Sequence, residues 1–383
     1  MAFGMALSVV GPAVEAIRDE FGVSYADVGF SFTTWGIGFI VGSLVGGLAS
    51  DRWGRRSTLL VTATGGALAL AWLGASPSFG TLLAASLVSG MALGSGDVTV
   101  SALIADAFPR ETAQALNLVH VAVALGAILA PIIVAFALAF FDSWRLAIFI
   151  VSLWMATSIV PFGLLRYPQR SVKRLAWSDI GRAMAAPVPL SLGLVLAFYV
   201  GAELGFAGFG AAFVEQTFQV ERGASAVSIS AFWVGLIFGR VIAARLADYW
   251  SSERIVRWAL SLGILGSIVC AAGPTVHVVL LGYLLSGMVL GAVFPTVLGI
   301  GVVWRPQIAG AVAGVLVAFA GLGGAVLGPT IGWVTDLIGA RAGMLLIPLV
   351  LVGALVLFHI ACRIRQHKNS GEDNLGSKGV LSG

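Results

Sequence analysis

The sequence predicts an all-α membrane protein of twelve transmembrane helices, arranged as two pseudo-symmetric six-helix bundles. Three observations predict it. Of 383 residues, 58% are hydrophobic and only 10% are charged, against about 25% charged in soluble domains, and the mean hydropathy is +0.99. No soluble core absorbs that much apolar surface, so lipid is the solvent for much of it. Apolar runs of about 20 residues, the length that crosses a bilayer, recur along the chain. Finally, sliding the chain on itself by 197 positions brings its two halves into register.

The runs cover 27–49, 57–75, 80–105, 113–140, 145–165, 188–212, 226–247, 255–273, 277–302, 309–333 and 342–362, and the segment 1–17 makes a twelfth, short one. That segment has no basic leading region and no cleavage site, so it does not read as a signal peptide. Arg52, Arg55, Arg56, Arg110, the cluster 166–182, Arg245, Arg254, Arg257, Arg305 and the basic residues from Arg363 onward fall on one side. Arg18, Arg145, Arg222 and Arg341 fall on the other, where Arg145 reads as an interfacial anchor. The positive-inside rule makes the first side cytoplasmic. It places both termini in the cytoplasm, with a bacterial inner membrane as the expected setting. The pI near 9.4 then reflects cytoplasmic loops and not nucleic-acid binding. The 50 glycines suit helices packed closely in lipid. Cys270 and Cys362 lie in different apolar runs and read as free thiols.

The repeat fixes the organisation. Leu87–Gly94 overlays Leu284–Gly291, Gly38 and Gly42 overlay Gly235 and Gly239, Asp51 overlays Asp248, and Gly126 overlays Gly323. Two halves in the same orientation form a parallel repeat about an axis along the membrane normal. The expected division is a first bundle over 1–165, a basic cytoplasmic linker over 166–187, a second bundle over 188–362 and a disordered polar tail over 363–383. The seventh span starts near Pro187, and the matching start of the first span falls upstream of Met1. The first helix therefore reads as truncated at its cytoplasmic end.

The loop Gly47-x3-Asp51-Arg52-x-Gly54-Arg55-Arg56 between the second and third spans matches, at every signature position, the loop of the major facilitator superfamily. With twelve spans and the repeat, the resemblance covers essentially the whole chain. Tyr199-Val-Gly-Ala-Glu203 and Gly94-Ser-Gly-Asp97 resemble the fucose-permease-like sugar–proton symporters, while Ser101 and His120 depart from that branch. The resemblance implies that Gly47, Asp51, Arg52, Gly54, Arg55 and Arg56 form a cytoplasmic latch between the halves, with Arg245 and Asp248 as a degraded counterpart. For Arg55 and Arg56, plain anchoring of the basic side is the alternative.

Ionisable groups deep in a span are costly and commonly functional. Asp97, Glu203 and Arg240 are such groups. Each occurs in one half only, since they overlay Phe294, Ala6 and Ser43. All three are expected in the middle third of the bilayer, where transporter sites lie. Low dielectric disfavours the charged form of a carboxyl, so Asp97 is the candidate proton carrier. Glu203 is the candidate substrate ligand or second proton site, and Arg240 their counter-ion and a substrate contact. An Asp–Arg pair that merely holds helices together is the alternative. His120 and Asn117 share a helix face and, with Gln114, bond substrate or make interhelical hydrogen bonds. Among the aromatics, Phe294 and Trp233 are candidate substrate contacts. Trp35, Phe198, Tyr199, Phe206 and Phe232 stack on substrate or pack the core.

No phosphate-binding loop or metal-ligand cluster occurs, so an enzyme, a cofactor, a metal and ATP-driven transport are not expected. The expected function is secondary active transport of a small solute by alternating access, as proton-coupled uptake of a sugar-like substrate by a lipid-embedded monomer. A proton-antiport exporter of drugs or metabolites and a non-transporting receptor or scaffold are the alternatives. Gly324-x3-Gly328-Pro329-x2-Gly332 resembles the glycine–proline motif of drug antiporters, but in the eleventh span, where their fifth carries it.

Overall fold

The computed structural model describes residues 1–108, 112–168, 177–305 and 308–380, the side chains of 112–114, 117, 177, 309–310 and 367–380 excepted. No β-strand occurs among them. The helices are α1 Ala2–Ser8, α2 Val14–Phe21, α3 Tyr25–Trp53, α4 Arg55–Gly74, α5 Phe79–Ala107, α6 Thr112–Phe141, α7 Trp144–Thr157, α8 Ile159–Leu164, α9 Trp177–Ala185, α10 Pro187–Phe218, α11 Arg222–Leu246, α12 Ser252–Ala272, α13 Val276–Leu290, α14 Val293–Trp304, α15 Ala309–Ile338 and α16 Ala340–Val380.

Eleven helical segments among the described residues are long and apolar enough to cross a membrane. The first span differs. It is two short helices, α1 and α2, joined by a 3-10 turn at Gly11–Ala13 and ending at Phe21, beyond the expected 17. Pro12 lacks the N–H that a continuous helix needs there. α16 runs from Ala340 to Val380, past the start of the polar tail at 363.

The repeat reappears as matched atomic contacts. An added Cβ on Gly38 would stand 2.1 Å from the Leu87 carbonyl oxygen, and one on Gly235 2.0 Å from that of Leu284. The reciprocal pair behaves alike: Gly90 faces the Trp35 oxygen at 2.1 Å and Gly287 the Phe232 oxygen at 2.0 Å. All four relations preserve the offset of 197. They let α3 lie against α5, and α11 against α13, at backbone contact.

Helix ends repeat too. The Ser78 hydroxyl caps α5 and the Thr275 hydroxyl caps α13. Arg145 Nη1 donates to the Gly74 carbonyl at 2.7 Å, and Arg341 Nη1 to that of Ala271 at 2.9 Å. Each cation thus satisfies the C-terminal carbonyls of a neighbouring helix and faces the negative end of its dipole. Arg145 is therefore not a free interfacial anchor. Its Nη2 and Nε also bind Glu20 Oε1, at 2.7 and 3.0 Å.

Between the halves, α3 packs on α15, α6 on α11, and the first span on α10. The antiporter-like glycines of α15 lie in the first of these contacts: a Cβ on Gly332 would stand 2.2 Å from the Tyr25 oxygen, and one on Gly328 3.0 Å from Phe32 Cβ. In α15 they serve close approach of the halves.

Candidate functional site

Four polar groups meet where the halves adjoin. Tyr199 and Glu203, one turn apart on α10, share a face. Arg240 comes from α11 and His120 from α6 of the other half. The Arg240 guanidinium acts electrostatically on Glu203, on Tyr199 and on His120. None of these contacts closes to an ion pair. Among the described residues Arg240 has no carboxylate within 4.0 Å, and its buried Nε has no hydrogen-bond partner. The Tyr199 hydroxyl is fully buried beside Glu203 yet also lacks a bond of acceptable geometry.

Asp97 stands apart. Among the described residues it has neither a hydrogen bond nor an ion pair, and no charged group acts on it. Arg240 is thus placed as a neighbour of Glu203 and not as a counter-ion shared with Asp97. The reason is placement: Asp97 belongs to α5, which packs on α3 and α4 within its own half.

Depth varies along the helices. Glu203 lies midway along α10 (187–218). Asp97, His120 and Arg240 lie nearer the helix ends that carry most of the arginines, hereafter the basic end. At 1.5 Å per residue they sit about 9–15 Å from it. α11 starts at Arg222, four residues before the apolar run, which moves Arg240 away from the midpoint.

The aromatic candidates divide. Trp233 is 2% exposed, and its indole N–H donates to Ser8 Oγ of the other half at 3.0 Å. Phe206 and Phe232 stack with centroids 4.9 Å apart inside the core. Trp35 stacks on Phe39 at 5.3 Å. Phe294, the repeat partner of Asp97, is half-buried at the start of α14. Asn117 and Gln114 lie on α6, but their side chains are outside the described residues.

The signature loop is folded inward upon its own half. Arg55 bonds Asp106 through Nε at 3.1 Å, and Asp51 and Ser50 through Nη1 at 3.0 and 2.6 Å. Arg56 donates to the Gly163 carbonyl at 2.7 Å. Gly54 has φ +94° between α3 and α4, a conformation open chiefly to glycine. A Cβ added to Gly47 would stand 3.7 Å from Val98 Cγ1. Arg52, Arg245 and Asp248 are exposed.

Contacts that cross between the halves lie toward the opposite end, and the charge pattern did not announce them. Asp336 of α15 accepts from the backbone N–H groups of Tyr25 at 3.0 Å and Ala26 at 2.8 Å. Arg222 pairs with Asp19 of the other half and, through Nε at 3.1 Å, with Glu215 of its own. The Tyr25 hydroxyl bonds both Gln216 of the other half and the buried carboxylate of Glu15, which in turn pairs with Arg18 at 3.3 Å. Thr33 donates to the Ala325 carbonyl, and Ser230 to that of Ile128 at 3.1 Å. These crossing hydrogen bonds lie away from the basic ends of the helices. Two cavities lie away from the polar cluster. A void of about 10 Å³ beside Tyr25 and Gln216 holds at most one water. A pocket of about 230 Å³ lies at the basic end, between Arg257, Trp304 and Arg365.

Comparison with known proteins agrees with this architecture. A family model described as Major Facilitator Superfamily matches residues 1–303. A hexuronate transporter of Bacillus subtilis (strain 168) is 28% identical over 195 residues, which are 49% of this chain and 44% of that protein. The chain thus spans less than half the length of that relative. The glucose/mannose transporter GlcP of the same organism is 22% identical over 363 residues, 91% of this chain and 87% of that one. Among solved structures, a bacterial homolog of the human lysosomal transporter Spinster superposes with a TM-score of 0.80 at 16% identity, covering 94% of each chain.

Proposed function

Because the chain belongs to the Major Facilitator Superfamily, and is an integral, multi-pass membrane transporter and not an enzyme, we propose that it takes up a small polar, sugar-like solute with protons by alternating access. One observation carries the reading. Glu203, Tyr199 and Arg240 of one half and His120 of the other come together where the halves adjoin, while the bonds that fasten the halves gather toward one end. Such an interface opens a path to the polar cluster from the unfastened end.

In this reading the basic end is cytoplasmic, by the excess of arginine there, and the membrane is a bacterial inner membrane with both termini inside. Residues 1–165 rock against 188–362 about the cluster, with 166–187 as a cytoplasmic linker. The conformation described is the outward-closed one. In the opposite state Asp51, Arg55 and Arg56 leave their present partners and, with Arg52, meet the Arg245–Asp248 end of α11, and the outer bonds break. A contact present in one state only is what biases a two-state equilibrium.

Asp97 is the proton carrier. It is a carboxyl within a span with no cation beside it among the described residues. Glu203 binds substrate or a second proton, with His120, Asn117, Trp233 and Phe294 completing the site. The monomer is the transporting unit.

Reconstituted protein tests the coupling. Asp97→Asn is expected to abolish accumulation driven by an imposed proton gradient while solute exchange survives. Accumulation at the wild-type level in that variant would remove Asp97 from the mechanism.

A further inference from the structure

We propose that the substrate carries a carboxylate and that Arg240 is the residue that selects it. The inference rests on the transport reading above and adds the chemical class of the cargo. Arg240 is not part of the scaffold that the two halves share. Its repeat counterpart is Ser43, a small hydroxyl that bonds the Phe39 carbonyl of its own helix at 2.8 Å. The guanidinium is therefore an addition to one half, placed where it faces the other.

Its charge is unspent. Arg240 is half-buried, and a buried guanidinium N–H without an acceptor is costly, so proteins ordinarily pair one. Arg240 has no carboxylate within 4.0 Å among the described residues, and its buried Nε has no acceptor. The nearest carboxyl, Glu203, feels the cation without closing on it. The buried Tyr199 hydroxyl beside it also lacks a bond. Two polar groups of one cluster are thus unsatisfied together. One is a planar fork whose geometry matches a carboxylate with two parallel bonds. The other is a hydroxyl able to donate a third.

The charge count points to a monoanion. A phosphate carries up to two charges and is ordinarily held by several cations or a helix N-terminus. Here a single arginine stands beside a carboxyl and an imidazole. A neutral sugar offers hydroxyls but nothing to balance the guanidinium. A substrate carboxylate balances it, and docking there displaces the influence of Arg240 on Glu203.

The test uses the full chain, purified and reconstituted, and matched pairs that differ in the acid group: glucuronate with glucose, lactate with propanediol, phenylacetate with phenylethanol. Binding is read by tryptophan fluorescence and transport by radiolabel uptake. The expected result is binding confined to the acid of at least one pair, weakened tenfold or more in Arg240→Gln and in Arg240→Ser, and partly kept in Arg240→Lys. Arg240→Ser restores the residue that the other half carries, and an unchanged elution profile shows that the loss is not misfolding. Binding of a neutral member as strongly as its acid, wild-type affinity in Arg240→Ser, or no binding of any acid overturns the proposal. An acid that binds through Arg240 but crosses the bilayer in neither direction upholds the carboxylate class and overturns the transport reading.

Discussion

Replacing Asp336 by alanine is expected to part the outer ends of the two halves. Asp336 accepts from the N–H groups of Tyr25 and Ala26, the first two residues of α3. These are orphan donors of a helix start, and the carboxylate also meets the positive end of the α3 dipole. Loss of a capping acceptor costs about 0.5–2 kcal/mol and loss of a dipole contact about 0.3–1 kcal/mol. Asp336 is exposed, so solvent screening points to the lower half of the sum, about 1–1.5 kcal/mol. The helix itself stays capped, because Ser24 and Asp27 form their own capping box. The loss therefore falls on the closed state and not on the folding of α3. At 1.4 kcal/mol per factor of ten, the closed-to-open ratio should drop about 5–10-fold. Spin labels at Gly80→Cys and Glu221→Cys, one on each half and on a background lacking Cys270 and Cys362, report the distance by pulsed dipolar spectroscopy. Position 80 has open space for a side chain. Asp336→Asn keeps an acceptor but loses the charge and should shift the ratio less. An unchanged distance distribution together with a lowered melting temperature would refute the reasoning, because Asp336 would then fasten both states equally.

The remaining predictions concern the rigidity of each half. Gly38→Ala and Gly235→Ala each drive a methyl into a carbonyl oxygen at 2.1 and 2.0 Å. Each should cost roughly 1–3 kcal/mol, seen as matched drops in melting temperature in detergent. Gly65→Ala, with nothing within 4 Å, should be neutral or stabilising by up to about 1 kcal/mol. Asp106→Asn leaves Arg55, 13% exposed, with only the exposed Asp51 as its carboxylate. About 3 kcal/mol of stability should be lost, visible as earlier aggregation on heating. Arg341→Met should uncap α12 and be paralleled by Arg145→Met at α4, with the second more damaging because it also removes the ion pair with Glu20.

Much of the scaffold was legible because its causes are local or periodic. The offset of 197 reappears in the contacts of Gly38 with Leu87 and Gly235 with Leu284, and in the caps Ser78 and Thr275. The signature glycine, Gly54, stands where the backbone takes φ +94°. The outer fastening was not legible. Arg18 and Arg222 entered the reading only as cations on one side and Arg145 as an interfacial anchor, and the carboxylates that bind them did not enter at all, since acids contribute little to orientation. Yet Glu15, Asp19, Glu20, Glu215 and Asp336 are the partners that matter there. An excess of acids on the arginine-poor side was the available signal. For the site, the sequence supplied approximate depth but not adjacency. It identified Asp97, Glu203 and Arg240 as buried charges, but only the packing of α10, α11 and α6 separates Asp97 from the other two. The break at Pro12 was also missed, because a proline near a chain start reads equally well as a first helical turn.

The division between shared and unique contacts bears on mechanism. Contacts common to both halves are glycine approaches and helix caps inside a half. They involve no partner across the interface and need not change when the halves move. Three contacts that are not repeated, Asp336 with α3, Arg222 with Asp19 and Trp233 with Ser8, cross the interface. Rigid bodies joined by a replaceable interface can rock, but only if the two ends are nearly matched in free energy. A bias of 5.5 kcal/mol would leave about one molecule in ten thousand on the minority side after starting from parity. On the reading proposed, the basic end must therefore supply, in the opposite state, a fastening of similar strength. Asp51, Arg52, Arg55 and Arg56 on one half and Arg245 and Asp248 on the other are the charged groups positioned to do so. Their present pairing within one half, Arg55 with Asp106 and Arg56 with Gly163, is then not idle. It stabilises the open cytoplasmic end while the outer bonds hold, and so keeps the two states close enough for substrate and proton to decide between them.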